Sequence, residues 1–154
     1  MSVPLPVVLV WHDRDQSATE ALAAVGDLDA TVVGGSWRPT ADDGGREDLL
    51  TSVRDARALI EQQGGDPNDL GLIGFGLGAV AGAGLAQHAK RLGIGLGTVI
   101  CVTPRWDEPD PISGVLLSGP PERVELVEDQ AALAAAITRT ERVSGERRPS
   151  APSE

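Results

Sequence analysis

Short apolar runs alternate with amphipathic stretches along this chain. Runs of strand length occupy 3–11, 30–33, 70–75, 97–103 and 112–118. Apolar residues recur at helical spacing over 18–25, 47–63, 77–92 and 130–139. Segment 123–127 fits either a sixth strand or the approach to the last helix. Strands alternating with helices indicate a parallel sheet with right-handed crossovers and helices on both faces.

Residues at the ends of these segments are of the types that begin and end helices. Ser17 followed by Glu20 forms an S-x-x-E capping box, and Gly26 ends the helix that begins there. From about residue 143 the apolar pattern stops, which predicts a disordered tail over 143–154. We therefore expect one α/β domain over 3–142, a three-layer sandwich with a mainly parallel sheet of five or six strands.

The most informative stretch is the turn between the third predicted strand and its helix. Gly74, Gly76 and Gly78 occupy alternate positions there. Glycine suits such a turn because the reversing backbone visits positive φ, and because strand and helix approach closely. The pattern GxGxG is one residue away from the GxSxG nucleophile elbow of serine hydrolases, with Gly76 where the serine would stand.

The order of these elements resembles the α/β-hydrolase superfamily, in particular its phospholipase/carboxylesterase and dienelactone-hydrolase branch. The matching stretches are VVLVWHD at 7–13, similar to that branch's strand ending in His-Gly; GGSW at 34–37; the helix, Asp-Pro turn and elbow at 52–79; and TVICVTP at 98–104. The resemblance covers roughly 7–119. It implies an α/β-hydrolase-like sheet of order 2-1-3-4-5 with the elbow at its carboxyl edge.

The chain departs from that family at the catalytic residues. Acyl transfer needs a hydroxyl or thiol at the elbow, a base and an acid that orients the base, and Gly76 offers no side chain. The family's acid follows a strand in a G-x-x-D pattern, which 119–122 matches with Glu122. Its base is a histidine near the C-terminus, whereas this sequence has only His12 and His88. The resemblance thus predicts a shortened, esterase-like pseudoenzyme without the serine nucleophile.

The backbone of the elbow predicts a binding site. In the family the N–H after the nucleophile, here that of Leu77, and an N–H near Asp13 hold an oxyanion. The resemblance therefore implies a site for a small anionic or acyl ligand. Its expected residues are His12, Asp13, Trp37, Gly76, Leu77 and Trp106. The other interpretation is that the glycines only permit tight packing of strand and helix.

Two further chemistries are alternatives. His12 or Glu122 would act as acid or base while the Leu77 N–H steadies an enolate or oxyanion, which would make the protein an enzyme for a small acyl or carbonyl substrate. Residues 74–79 also satisfy the GxGxxA dinucleotide fingerprint. That fingerprint belongs after the first strand and needs an acid at the end of the next strand, where this chain has none at 102–104.

Composition narrows the classes of partner. The 23 acidic and 13 basic residues give a net charge of −10, which disfavours nucleic acid and anionic membranes. No apolar run approaches the roughly 20 residues of a membrane helix, so we expect a soluble, cytoplasmic protein. Two histidines and a lone Cys101, expected in the core, predict no metal site and no cofactor. The acidic runs 42–43 and 107–110 are expected to be solvated loops. The alternative is that they supply paired carboxylates for acid–base chemistry or Mg²⁺, since the second run would lie at the carboxyl edge.

These features favour a non-catalytic function. A degenerate α/β-hydrolase-like domain would act as a binding, scaffold or partner-subunit module through the elbow rim or a sheet edge. A protein partner or a second copy of the chain, forming a homodimer, is the expected occupant of an exposed sheet edge.

Overall fold

The computed structural model describes residues 7–26, 31–35, 37–38, 41–117 and 124–127. The strands are β1 (Val7–Trp11), β2 (Thr31–Gly35), β3 (Gly71–Phe75), β4 (Val99–Val102) and β5 (Val124–Val127). The helices are α1 (Ala18–Val25), α2 (Arg46–Gln62) and α3 (Leu77–Leu92), and a 3-10 turn covers Pro67–Asp69. Within these ranges no helix is long and apolar enough to cross a membrane.

The five strands form one parallel sheet in the order β2-β1-β3-β4-β5, which confirms the predicted order. The register places Leu9 of β1 opposite Leu72 of β3, and Ile73 of β3 opposite Ile100 of β4. Because the carboxyl ends of parallel strands meet at one edge, the segments that follow β1, β3 and β4 come together there.

Apolar side chains cover both faces of the sheet. On one face Leu9 and Leu72 belong to a large core cluster with residues of α2 and α3. On the other face Val10 and Ile73 pack with Ala21 of α1. Side chains alternate between the two faces along a strand, so neighbours in sequence join different clusters. The result is the expected three-layer α/β sandwich.

The predicted start of α1 is confirmed. The Oγ of Ser17 accepts a hydrogen bond from the N–H of Glu20 at 3.0 Å, and a carboxylate oxygen of Glu20 accepts one from the N–H of Ser17 at 2.9 Å. This reciprocal pair satisfies two amide donors at the helix terminus. Gly26 then ends the helix with a φ of 77°.

The predicted strand at 112–118 is wrong. Its described part consists of turns and bends, because Asp110 draws the chain back on itself. The N–H of Gly114 donates to the Asp110 carbonyl at 2.6 Å. The N–H of Asp110 donates to the Val115 carbonyl at 2.9 Å. The fifth strand is instead β5, in the segment that the sequence left open. The predicted helix at 130–139 and tail at 143–154 lie outside the described residues.

Two glycines of α3 should respond differently to alanine. A Cβ at Gly78 would lie 2.5 Å from the backbone oxygen of His12, whereas one at Gly82 would lie 3.3 Å from the movable Cδ2 of Leu72. We expect Gly78→Ala to lower the free energy of unfolding by about 2–3 kcal/mol through overpacking. Gly82→Ala should change it by less than about 1 kcal/mol, because helix propensity offsets the closer contact. Urea unfolding checks both, and equal losses would contradict the assignment.

Candidate functional site

Gly76 forms the sharp turn between β3 and α3 at the carboxyl edge of the sheet. Its φ of 56° and ψ of −115° lie in a region that side-chain-bearing residues adopt only under strain. The Gly76 N–H donates to the carbonyl of Val102 at 3.0 Å, which fixes the turn against the end of β4. The elbow geometry expected from the sequence is therefore present.

The flanking glycines allow three segments to approach one another. A Cβ at Gly74 would lie 2.4 Å from the Gly78 carbonyl oxygen, and one at Gly78 would lie 2.5 Å from that of His12. These contacts bring β3, α3 and the end of β1 together more closely than any side chain would permit. The interpretation that these glycines serve close packing is confirmed for Gly74 and Gly78.

At Gly76 the space for a side chain is occupied by the carboxylate of Asp13. A Cβ at position 76 would lie 2.1 Å from the Asp13 Cγ. The Asp13 Oδ1 accepts hydrogen bonds from the N–H of Leu77 at 3.0 Å and from the N–H of Arg14 at 2.8 Å. The backbone donor that would hold an oxyanion in the resembled family is thus bonded to an anion of the chain itself.

Arg105 holds this carboxylate from the other side. Its Nε lies 2.9 Å from Asp13 Oδ1, and its Nη2 lies 2.8 Å from Asp13 Oδ2, which is the two-point geometry that makes arginine–carboxylate pairs strong. The N–H of Arg105 also donates to the Gly76 carbonyl at 3.3 Å. Arg105 therefore fixes both the elbow and the residue that fills it.

Further charges surround the pair. The Nη2 of Arg105 lies 3.2 Å from Asp15 Oδ2, and its Nε lies 3.9 Å from Glu108 Oε2. Glu108 also pairs with Arg14. Three carboxylates and two guanidinium groups thus cover the elbow, where the sequence suggested a site for a small anionic or acyl ligand.

The environment of Asp13 favours its charged form. Burial acts to raise the pKa of Asp13, but hydrogen bonds from Arg105, Leu77 and Arg14 outweigh it and hold the pKa below the usual value. The hydrogen bond between Arg105 and Asp13 and the negative charge of Asp13 also raise the pKa of the Arg105 guanidinium. Asp13 is therefore a carboxylate at neutral pH, and its charge is paired with that of the Arg105 guanidinium.

His12 is buried beneath Trp37. Its Nδ1 lies 2.6 Å from the Asp13 carbonyl oxygen. Its Nε2 accepts a hydrogen bond from the backbone N–H of Trp37 at 3.5 Å. The two rings lie 5.6 Å apart, and the indole N–H of Trp37 donates to the His12 carbonyl at 3.0 Å. Both ring nitrogens thus face backbone atoms, and the side chain is 7% exposed.

The structure joins five of the six residues that the sequence assigned to the ligand site. Direct contacts connect His12, Asp13, Trp37, Gly76 and Leu77. Trp106 follows Arg105 and packs, partly buried, against the larger core cluster. Glu122, the other candidate acid, lies outside the described residues.

Arg105 is the site residue that the sequence reasoning missed. It stands three positions beyond Val102, the last residue of β4, and β4 is the neighbour of β3 in the sheet. Because both strands end at the same edge, its position alone could have placed it near the elbow. Its pairing with Asp13, 92 residues away in sequence, carries no local signal.

Asp110 contradicts the expectation that the 107–110 run is a solvated loop. Its carboxylate is fully buried and accepts bonds from the N–H of Ile112 at 2.9 Å and from the N–H and hydroxyl of Ser113 at 3.1 and 2.8 Å. Burial raises its pKa despite these bonds. It lies against α3, where a Cβ at Gly84 would overlap its oxygens. These hydrogen bonds from Ile112 and Ser113 to the Asp110 carboxylate stabilise the turn that is found where the sequence predicted a strand.

Cys101 lies in the core as expected. It is fully buried, and burial raises the pKa of its thiol to about 12, so no thiolate is present at neutral pH. In the part of the chain that the structure describes, no three His, Cys, Asp or Glu side chains are placed to hold a metal ion.

Comparison with known proteins supports the architecture. No protein-family model matches the sequence, and no curated protein matches it. Solved structures do match: a bacterial heroin esterase at 16% identity with a TM-score of 0.57, and a Pyrobaculum calidifontis esterase at 22% with a TM-score of 0.59. An arylesterase matches at 17% with a TM-score of 0.57. The chain has an α/β-hydrolase fold.

This α/β-hydrolase-fold chain corresponds to unequal parts of those esterases. The alignment covers 95% of this chain and 74% of the heroin esterase, and 90% of this chain and 48% of the P. calidifontis esterase. It covers 66% of this chain and 37% of the arylesterase. At these identities the likeness establishes the fold alone.

Asp13 should contribute to stability in a pH-dependent way. Its folded-state pKa is lowered, so its contribution is present above its unfolded value and is lost as the pH falls through the folded value. At about pH 7 we expect Asp13→Asn to lower the free energy of unfolding by about 1–2 kcal/mol. The difference from the native chain should shrink in denaturant titrations carried below about pH 4.

Asp15→Asn is the matched control for this prediction. The Asp15 side chain is 73% exposed and contacts the same guanidinium, so its loss should change the free energy of unfolding by less than about 0.5 kcal/mol. Equal effects of the two substitutions would contradict a specific role for Asp13.

Proposed function

We propose that this α/β-hydrolase-fold protein lacks serine-hydrolase activity and acts as a binding, scaffold or partner-subunit module. The observation that carries this proposal is the position of the Asp13 carboxylate, which occupies the space of a side chain at Gly76. The chain therefore lacks a nucleophile at the elbow, and it has an anion in the place where the nucleophile would act.

The chemistry of acyl transfer supports the proposal. An oxyanion forms next to the nucleophile and needs donors that are free to bind it. Here the Leu77 N–H donates to Asp13 Oδ1, and the pKa of Asp13 is held low. A developing oxyanion would find this donor already bound to the Asp13 carboxylate, which Arg105 holds in place, so the elbow would not stabilise it.

The environment of His12 argues against the alternative of an enzyme with other chemistry at the elbow. A general base must reach the proton that it removes. The ring nitrogens of His12 face the backbone of Asp13 and Trp37, and the side chain is buried. His12 is thereby disfavoured as the acid or base, while Glu122, the other candidate, lies outside the described residues. Among the described residues, a binding function is the proposal that is favoured.

The occupied elbow also bears on what the module binds. A small anionic or acyl ligand would have to displace Asp13 from both the Leu77 N–H and Arg105. A protein partner has no such requirement, because it would contact the exposed charges around the elbow, among them Arg14 and Asp15. We therefore favour a protein partner or a second copy of this chain.

Ester hydrolysis tests the absence of catalysis. We expect p-nitrophenyl acetate and butyrate to be hydrolysed at the rate of buffer alone, and a fluorophosphonate probe to leave the protein unlabelled, because no activated hydroxyl stands at the elbow. Asp13→Asn serves as the control and should also be inactive. Saturable hydrolysis that Gly76→Ala or His12→Asn abolishes would overturn the proposal.

A second prediction follows because the side chain of Asp13 and any side chain at position 76 would occupy the same space. Gly76→Ser should lower the free energy of unfolding by about 2–4 kcal/mol, because its Cβ would overlap Asp13 and its φ would be strained. Asp13→Gly should recover at least about 1 kcal/mol of that loss in the double variant. Thermal or urea unfolding of the four proteins measures the coupling, with Asp15→Gly replacing Asp13→Gly as the control. Strictly additive effects would count against the occupied elbow.

A further inference from the structure

Thr103 adopts a strained backbone conformation directly after β4. Its φ is 41°, and it is the one non-glycine residue with positive φ among those that the structure describes. A β-branched side chain is unfavourable in this region because its Cβ substituents crowd the backbone. The residue is exposed, so no core packing of its side chain explains the conformation. Something else must hold the backbone there.

Hydrogen bonds of Thr103 itself and of Arg105 hold the backbone of Thr103 in this conformation. The Thr103 N–H donates to the Val127 carbonyl at 2.8 Å. Two residues later, Arg105 bonds through its N–H to the Gly76 carbonyl and through its side chain to Asp13. The segment 103–109, here termed the elbow loop, is thereby held against the elbow at the start of α3.

We propose that the elbow loop is a hinged cover over the elbow, strained at Thr103 and held closed by the ion pair of Arg105 with Asp13. Breaking the ion pair lets Thr103 relax to negative φ and moves Arg105 away from Gly76. This device does not depend on the proposed binding function, since it concerns how the elbow is covered and not what it binds.

The far side of the loop limits the movement. Asp110 is buried against Gly84 of α3, and the Nε of Arg46 donates to the Ile112 carbonyl at 2.9 Å. Asp110 is buried, the bond from the exposed Arg46 is partly buried, and neither contact involves Asp13. The region that can move is therefore bounded by the strained residue at one end and by the Asp110 turn at the other.

The groups that hold the loop closed are charged and partly exposed. Asp13, Asp15 and Glu108 face the Arg105 guanidinium, and Arg14 pairs with Glu108. Ion pairs of this kind weaken with salt and with protonation of the carboxylates. Raised ionic strength should therefore favour opening of the loop, and acid should do so only once the pH falls through the lowered pKa of Asp13.

Hydrogen exchange at residue 105 measures opening directly, because its N–H is bonded to the Gly76 carbonyl. Exchange at Leu77 reports whether Asp13, which Arg105 holds in place, is released with the loop. Arg105→Gln should raise the exchange rate of both amides on the order of tenfold relative to amides within β3. Asp15→Asn is the matched control and should change it less than about twofold. Arg105→Lys, which keeps the charge but loses the two-point geometry, should give an intermediate rate. An unchanged rate in Arg105→Gln would overturn the proposal.

The strain is tested by its coupling to the ion pair. Thr103→Gly should raise Tm by about 2–4 °C in the native background, because glycine adopts positive φ freely. In the Arg105→Gln background the gain should fall to half or less, since the open loop no longer strains residue 103. Thr98→Gly is the control. Thr98 immediately precedes β4 and its φ is not positive, so glycine there should lower Tm. An equal gain from Thr103→Gly in both backgrounds would overturn the hinge.

Discussion

The bond between the Asp13 carboxylate and the first amide of α3 is the interaction on which the elbow depends. The first turn of a helix presents N–H groups without intrahelical acceptors and a partial positive charge. Asp13 satisfies one of these donors at Leu77, and Arg105 balances its charge. The end of β1, the start of α3 and the loop after β4 are thus connected through a single side chain.

The same side chain explains why position 76 is glycine. The residue after His12 is Asp13, and the elbow residue has no side chain. The carboxylate occupies the volume that a side chain at position 76 would need. Positions 13 and 76, which are 63 residues apart in sequence, therefore share one volume, and a larger residue at position 76 is not readily accommodated while Asp13 is present.

Local patterns predicted most of the fold, and long-range pairing explains most of what they missed. Hydrophobic periodicity located the four strands β1 to β4 and the helices α1 to α3, and the capping box placed the start of α1. The strand expected at 112–118 failed because the buried Asp110 turn reshapes an apolar segment. The sequence placed Asp13, Gly76 and Leu77 at one site and put Arg105 just after β4, but it gave no sign that Arg105 pairs with Asp13, because hydrophobic periodicity does not record an ion pair between residues 92 positions apart.

Two carboxylates hold residues 103–115, which follow β4, and their pKa values are shifted in opposite directions. Asp13 is paired with a cation and has a lowered pKa, so its contribution to stability disappears as the pH falls. Asp110 is buried, is bonded to uncharged donors and has a raised pKa, so its ionisation costs stability as the pH rises. Acid therefore weakens the attachment of the elbow loop to the elbow and does not weaken the Asp110 turn. Any opening of the loop in acid would begin at Arg105, beside the elbow.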